Sequence, residues 1–194
     1  MSPPVPSPCE WFAARLDPAA GSCFALIDSS RHPLFSDVLK RHGIRARCLF
    51  TGIAEVRLGR YAPYCAEFPL DGALAAFWFN HQGQGWREQW GWLFQSQADL
   101  DTLRGHFKKF VQVELSDGSS AYWRFYDPRV FCKIVPLMTQ AQHTQMFGSL
   151  INRAYCFHDP QRALLEVGWK SSWLDTLSGV RSLELKTHIL PDFP

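Results

Sequence analysis

No run of about eighteen apolar residues occurs anywhere in this chain, which excludes a membrane-spanning helix. The opening segment MSPPVPSP lacks both the basic start and the apolar core of a secretory signal. No C-x-x-C pair occurs among the six cysteines (Cys9, Cys23, Cys48, Cys65, Cys132 and Cys156). Several of them sit inside apolar runs such as CFALID, so they read as small buried hydrophobes of a reducing compartment. A cytoplasmic location is expected, with no membrane partner. Surplus charge is also scarce: the formal net charge is +2, which gives no overall pull toward nucleic acid.

The motifs of the common enzyme classes are missing as well. There is no G-x-S-x-G nucleophile elbow. HQGQGWR carries two glycines but lacks the lysine and serine of a phosphate loop. Cys132, His143, Cys156 and His158 can be drawn as a zinc set, but their spacing matches no common zinc module. Asp28, His106 and Asp127 are the acid/base candidates. Asp28 follows an apolar strand, where α/β enzymes place catalytic groups. Strand ends also carry turn-forming aspartates for local reasons. No catalytic, cofactor-binding or metal-ligating residue is assigned on this basis, no cofactor is expected, and a non-enzyme is expected. The rival is a small hydrolase-like enzyme with its site near Asp28 and Asp127.

What the chain does have is a globular composition, 46% hydrophobic and 20% charged, and enough length for one sizeable core. Eight tryptophans and fifteen phenylalanines suit either a core or a surface that grips another protein. Seven cations fall between Arg31 and Arg60, against Asp37 and Glu55. They read as a solvated face or as a patch for an acidic partner.

Apolar runs place strands at 22–30, 47–52, 62–68 and 90–96, and helices at 33–43, 71–83 and 97–110. VQVEL and AYWRFY flank a glycine turn as a hairpin. A Thr139–Gln142 capping box opens a further helix that closes at Gly148. RAYCFH and ALLEVGW supply one or two more strands. The expected class is α/β, a mixed sheet with flanking helices in two or three layers and a short C-terminal extension. The expected organisation is a proline-rich leader over 1–21, extended or mobile at least through residue 10, a central α/β domain over 22–150, and an extension over 151–194 packing on that domain.

The densest stretch is Tyr122–Phe131, YWRFYDPRVF. Alternation puts Ala121, Trp123 and Phe125 on one strand face and Tyr122, Arg124 and Tyr126 on the other. Asp127 and Pro128 then fit a helix N-cap and the first helical position. On a structural reading, Arg124 or Arg129 pairs with Asp127 or a neighbouring carboxylate. On a functional one, Arg124, Tyr126 and Arg129 belong to a docking surface, since Arg and Tyr dominate protein–protein hot spots.

In order, FALIDSS, CLFTG, APYCAEF, WGWLFQS, LRGHFKKF with RFYDPRV, and TQAQHTQMFG resemble the effector-adaptor chaperones of bacterial type VI secretion, over roughly residues 22–150 by motif order. The resemblance implies a cytoplasmic, non-enzymatic adaptor that binds a secreted effector and the valine-glycine-repeat spike protein. Two departures stand out. Many relatives carry a longer helical lobe where only a short tail follows Gly148, and Phe131 stands where an aliphatic residue is common.

Overall fold

Strand β4 (Gly91–Ser96) is buried at every residue, and the sheet extends outward from it on both sides. The computed structural model describes residues 5–32, 34–158, 162–170 and 182–193. The other sheet strands are β1 (Ser22–Asp28), β2 (Ala46–Cys48), β3 (Pro63–Glu67), β7 (Arg153–His158), β8 (Ala163–Lys170) and β9 (Ser182–Ile189). They pair in the order β2-β3-β1-β4-β7-β8-β9. A separate hairpin joins β5 (Gln112–Glu114) to β6 (Ser120–Tyr122).

The α/β class with flanking helices stands, but every ladder described is antiparallel, where a mixture was expected. Strands β1 and β2 do run the same way, linked through helix α2 (Phe35–Arg41) as a parallel pair would be. Strand β3 inserts between them and makes both neighbouring ladders antiparallel. Alternation of strand and helix in a sequence cannot reveal such an insertion.

Both faces of the sheet are covered, so the architecture has three layers. Phe24, Leu26, Trp92, Phe94, Ala154 and Cys156 point to one face. There they meet α5 (Leu100–Phe107), α6 (Pro128–Ile134) and α7 (Gln140–Met146). Ala25, Ile27, Leu93, Tyr155 and Phe157 point to the other. That face carries α1 (Pro8–Ala13), α2 and α4 (Ala73–Arg87). Burial on both faces explains why the central strands read as continuous apolar runs. The aromatic surplus goes largely inward: Trp78, Trp86, Trp90 and Trp92 are almost wholly buried, as are eight other large side chains. Burying a side chain of this size contributes about 1.5–3 kcal/mol. The aromatic content therefore measures the core and gives no evidence of a gripping surface.

Among the described residues of the N-terminal segment, Pro8–Ala13 form a helix where an extended stretch was expected. Ser7 and Glu10 form a capping box that starts α1, and Pro8 occupies its first turn. Trp11 and Phe12 are buried in the second core. The Gln95 side chain in β4 binds the backbone of Asp17 and Gly21, tying the following turn to the sheet. At the other end, β7 and β8 are the strands expected from RAYCFH and ALLEVGW, and β9 is one the sequence did not announce.

Three further elements differ from expectation. The regular part of helix α4 ends at Asn80, three residues short of the expected stop at Gly83. Residues 80–83 leave helical geometry, with positive φ at His81, Gln82 and Gly83, and the chain then resumes a helical turn to Arg87. Gly52 does not close a strand but starts α3 (Gly52–Leu58). The second hairpin strand ends at Tyr122, and after Trp123 bonds Val111 the chain turns inward instead of continuing to Tyr126. Gly91, by contrast, must be glycine: a Cβ there would lie 1.9 Å from the Leu26 carbonyl oxygen.

Candidate functional site

The YWRFYDPRVF stretch places its polar groups where the end of β1 meets the start of α6. Asp127 is the N-cap of α6, its carboxylate accepting from the Arg129 amide at 3.0 Å, and Pro128 sits in the first turn. The same carboxylate accepts from the Arg129 guanidinium at both oxygens, at 2.9 and 2.6 Å. This two-point geometry suits the planar guanidinium and is the strong form of an ion pair. Arg124 reaches across to Asp28 at 2.5 Å, and to Asp127 at 3.4 Å. Asp28 in turn accepts from the Ser30 amide and hydroxyl. Two carboxylates and two guanidiniums thus balance within one cluster that pins α6 to the sheet.

Burial divides the cluster sharply. The Asp28 and Asp127 side chains are 1% and 3% exposed, those of Arg124 and Arg129 43% and 49%. Only the arginines present surface. Tyr126 does not share that exposure: at 4% it is buried, and burial pushes its hydroxyl up to about 12. Burial alone would raise the Asp127 carboxyl, but the hydrogen bonds from Arg129 outweigh it and hold the group below its usual range. Burial likewise works against the Arg124 charge, and the hydrogen bond and charge of Asp28 overcome it.

The structure therefore brings together Asp28 and Asp127, which sequence reasoning singled out as acid/base candidates, but pairs Asp28 with Arg124 and Asp127 with both Arg124 and Arg129. His106 lies elsewhere, bonded to the Met146 carbonyl at 2.7 Å. Burial lowers its pKa, which favours the neutral imidazole. Three of the side chains drawn as a zinc set have other partners. Cys132 reaches the Phe157 carbonyl, Cys156 the Pro128 carbonyl and His143 the Val135 carbonyl. Among the described residues no group of three or more His, Cys, Asp or Glu is arranged to hold a metal ion. None of their helices is long and apolar enough to cross a membrane.

A family model, Domain of unknown function (DUF4123), matches residues 23–145, well over half the chain. The protein belongs to that family. No curated protein and no solved structure matches the chain. The DUF4123 match covers β1 through almost all of α7, so it includes the Asp28–Arg124–Asp127–Arg129 cluster. It leaves out α1 and the three strands β7–β9.

Sequence reasoning missed one surface feature, helix α3. Ile53 and Val56 are spaced three apart, but the sequence reads as a strand over 47–52 that Gly52 closes.

Proposed function

We propose that this DUF4123 protein is a cytoplasmic, non-enzymatic adaptor that binds a type VI secretion effector and helps load it onto the valine-glycine-repeat spike. The observation that carries this reading is the state of the polar cluster. Both carboxylates that could serve acid/base chemistry are ion-paired, buried and hydrogen-bonded. A general acid or base needs a pKa near the working pH and a path to substrate. Asp127 has a depressed pKa and little exposure, which makes it poorly suited to either role. The ordered motifs shared with the adaptor chaperones supply the remaining support.

One observation favours the hydrolase-like alternative: the fold gathers Asp28 and Asp127 around a single guanidinium. Arginines bound to both acids make a clamp a better account than a catalytic pair. The test is co-expression with whatever effector and spike proteins the genome encodes beside this chain. The adaptor should co-purify with the effector without nucleotide or metal, and its deletion should lower secretion of that effector while other cargo is exported normally. Unchanged secretion in the deletion strain, with no complex in the pull-down, would sink the proposal.

A further inference from the structure

Among the seven described α-helices, α3 alone contributes no buried residue. Ala54 leans on the core, while Ile53 and Val56 stand 73% and 86% exposed on one helical face. Leu58 and Tyr61, just beyond them, are also exposed. Isolated exposed aliphatics are ordinary, but a helix that offers its aliphatic face to solvent and buries nothing is not.

Beside this ridge lies a cleft of about 740 Å³, with Val56 on its wall. Its charged lining is Lys40, Arg47, Arg57, Arg60 and Arg104 against Asp37 and Glu55. Arg47 is bonded to Asp101 at 2.7 Å, and Arg104 donates to the Cys48 carbonyl at 2.9 Å. Allowing for the Arg47 pair, positive charge still exceeds negative within a concave space. The basic stretch of the sequence is thus partly folded around this cleft.

We propose that α3 and its cleft form a docking surface for an acidic amphipathic helix of a partner protein. The partner's aliphatic side chains would lie on Ile53 and Val56, and a carboxylate would enter the cleft. Charge complementarity selects the sign of the partner and speeds encounter, while the exposed aliphatics supply the dry centre that interfaces need. An anionic bilayer would match the charge but is flat and cannot enter the cleft. Helices that lie in a bilayer interface are also commonly longer than seven residues. The identity of the partner as the effector rests on the adaptor reading; the surface itself does not.

The first arm of the test uses a synthetic helix with leucines at i, i+3, i+4 and i+7 and glutamates elsewhere, beside a counterpart with lysines for glutamates. The acidic peptide should shift backbone amide resonances of α3 and the cleft wall only. Its affinity should fall at least about tenfold in Ile53→Asp/Val56→Asp and in Arg57→Glu, while both variants melt like the parent. Shifts elsewhere, equal binding of the lysine peptide, or full affinity in the variants would overturn the proposal. So would binding of phosphatidylserine vesicles, lost in the same variants, without binding of the acidic peptide.

The second arm uses the purified neighbouring effector. If it binds parent and double variant alike, the docking surface is refuted and the adaptor reading stands. If the acidic peptide behaves as expected and the effector binds neither form, the adaptor reading fails and the surface stands.

Discussion

Helices α6 and α3 are both seven residues long, yet the fold treats them oppositely. Helix α6 opens with an aspartate cap and a proline, and it buries Pro128, Phe131 and Cys132. Helix α3 opens at Gly52 with φ +59, receives no side-chain cap from Thr51 and buries nothing. The stretch that draws attention in the sequence, dense in aromatics and arginines, is mainly anchorage. The unassuming TGIAEVRLG is what faces outward. In this chain the density of aromatic and charged residues coincides with a place where a helix is fastened to the sheet.

The largest effect that would test this contrast is expected at Phe131, which packs on Trp92 with ring centroids 4.5 Å apart. Phe131→Ala should cost about 3–5 kcal/mol in urea unfolding, the usual range for emptying a buried aromatic site. A loss below 1 kcal/mol, on the order of an exposed substitution, would show α6 to be no better anchored than α3.

Next comes an asymmetry inside the cluster. Arg124→Ala leaves the buried Asp28 carboxylate without its cation and should cost about 3 kcal/mol. Asp127→Ala leaves half-exposed arginines that water can solvate, so the loss should be about 1–2 kcal/mol, most of it the cap. Equal losses in denaturant melts of the two variants would contradict this account of which partner is stranded.

A smaller effect follows from pH. The Asp127 carboxyl is held below its unfolded value, so its contribution is present above that value and is lost as pH falls through the lower folded one. Asp127→Asn keeps a capping oxygen but loses the charge. Its melting temperature should decline less than the parent's below about pH 4. Parallel acid limbs for the two proteins would show that the ion pair does not act through the Asp127 charge.

The smallest effect is expected on α3. Ile53→Ser and Val56→Ser should each change stability by no more than about 0.5 kcal/mol. A larger loss would mean that the chain itself uses this face.

Much of the fold was legible because its signals are local. The capping box of α7 and the Asp-Pro start of α6 each depend on residues within one turn. The pairing of Asp127 with a neighbouring arginine was legible for the same reason. The bridge from Arg124 to Asp28 joins residues far apart in the chain, and no spacing encodes which carboxylate the arginine finds. Proline near the start suggested an extended leader, yet Ser7 and Glu10 turn the same proline into a helix opener. The insertion of β3 between β1 and β2 was illegible because strand order is decided by packing of whole elements. Helix α3 escaped notice because a helix with no core-facing stripe lacks the periodic contrast by which helices are read.

The middle of the sheet also sets a schedule for synthesis. Strand β4 pairs with β1 on one side, but its other neighbour is β7, which begins at Arg153. The roughly 60 residues between Ser96 and Arg153 take on the order of 3–10 seconds to emerge at ordinary translation speed. Until then β4, with Trp92 and Phe94, has an open edge, and α6 lacks the strand whose Phe157 and Cys156 it touches. The DUF4123 stretch ends at residue 145, before β7 is made, so a nascent chain that has completed the family's own segment still has its central strand unpaired on one side.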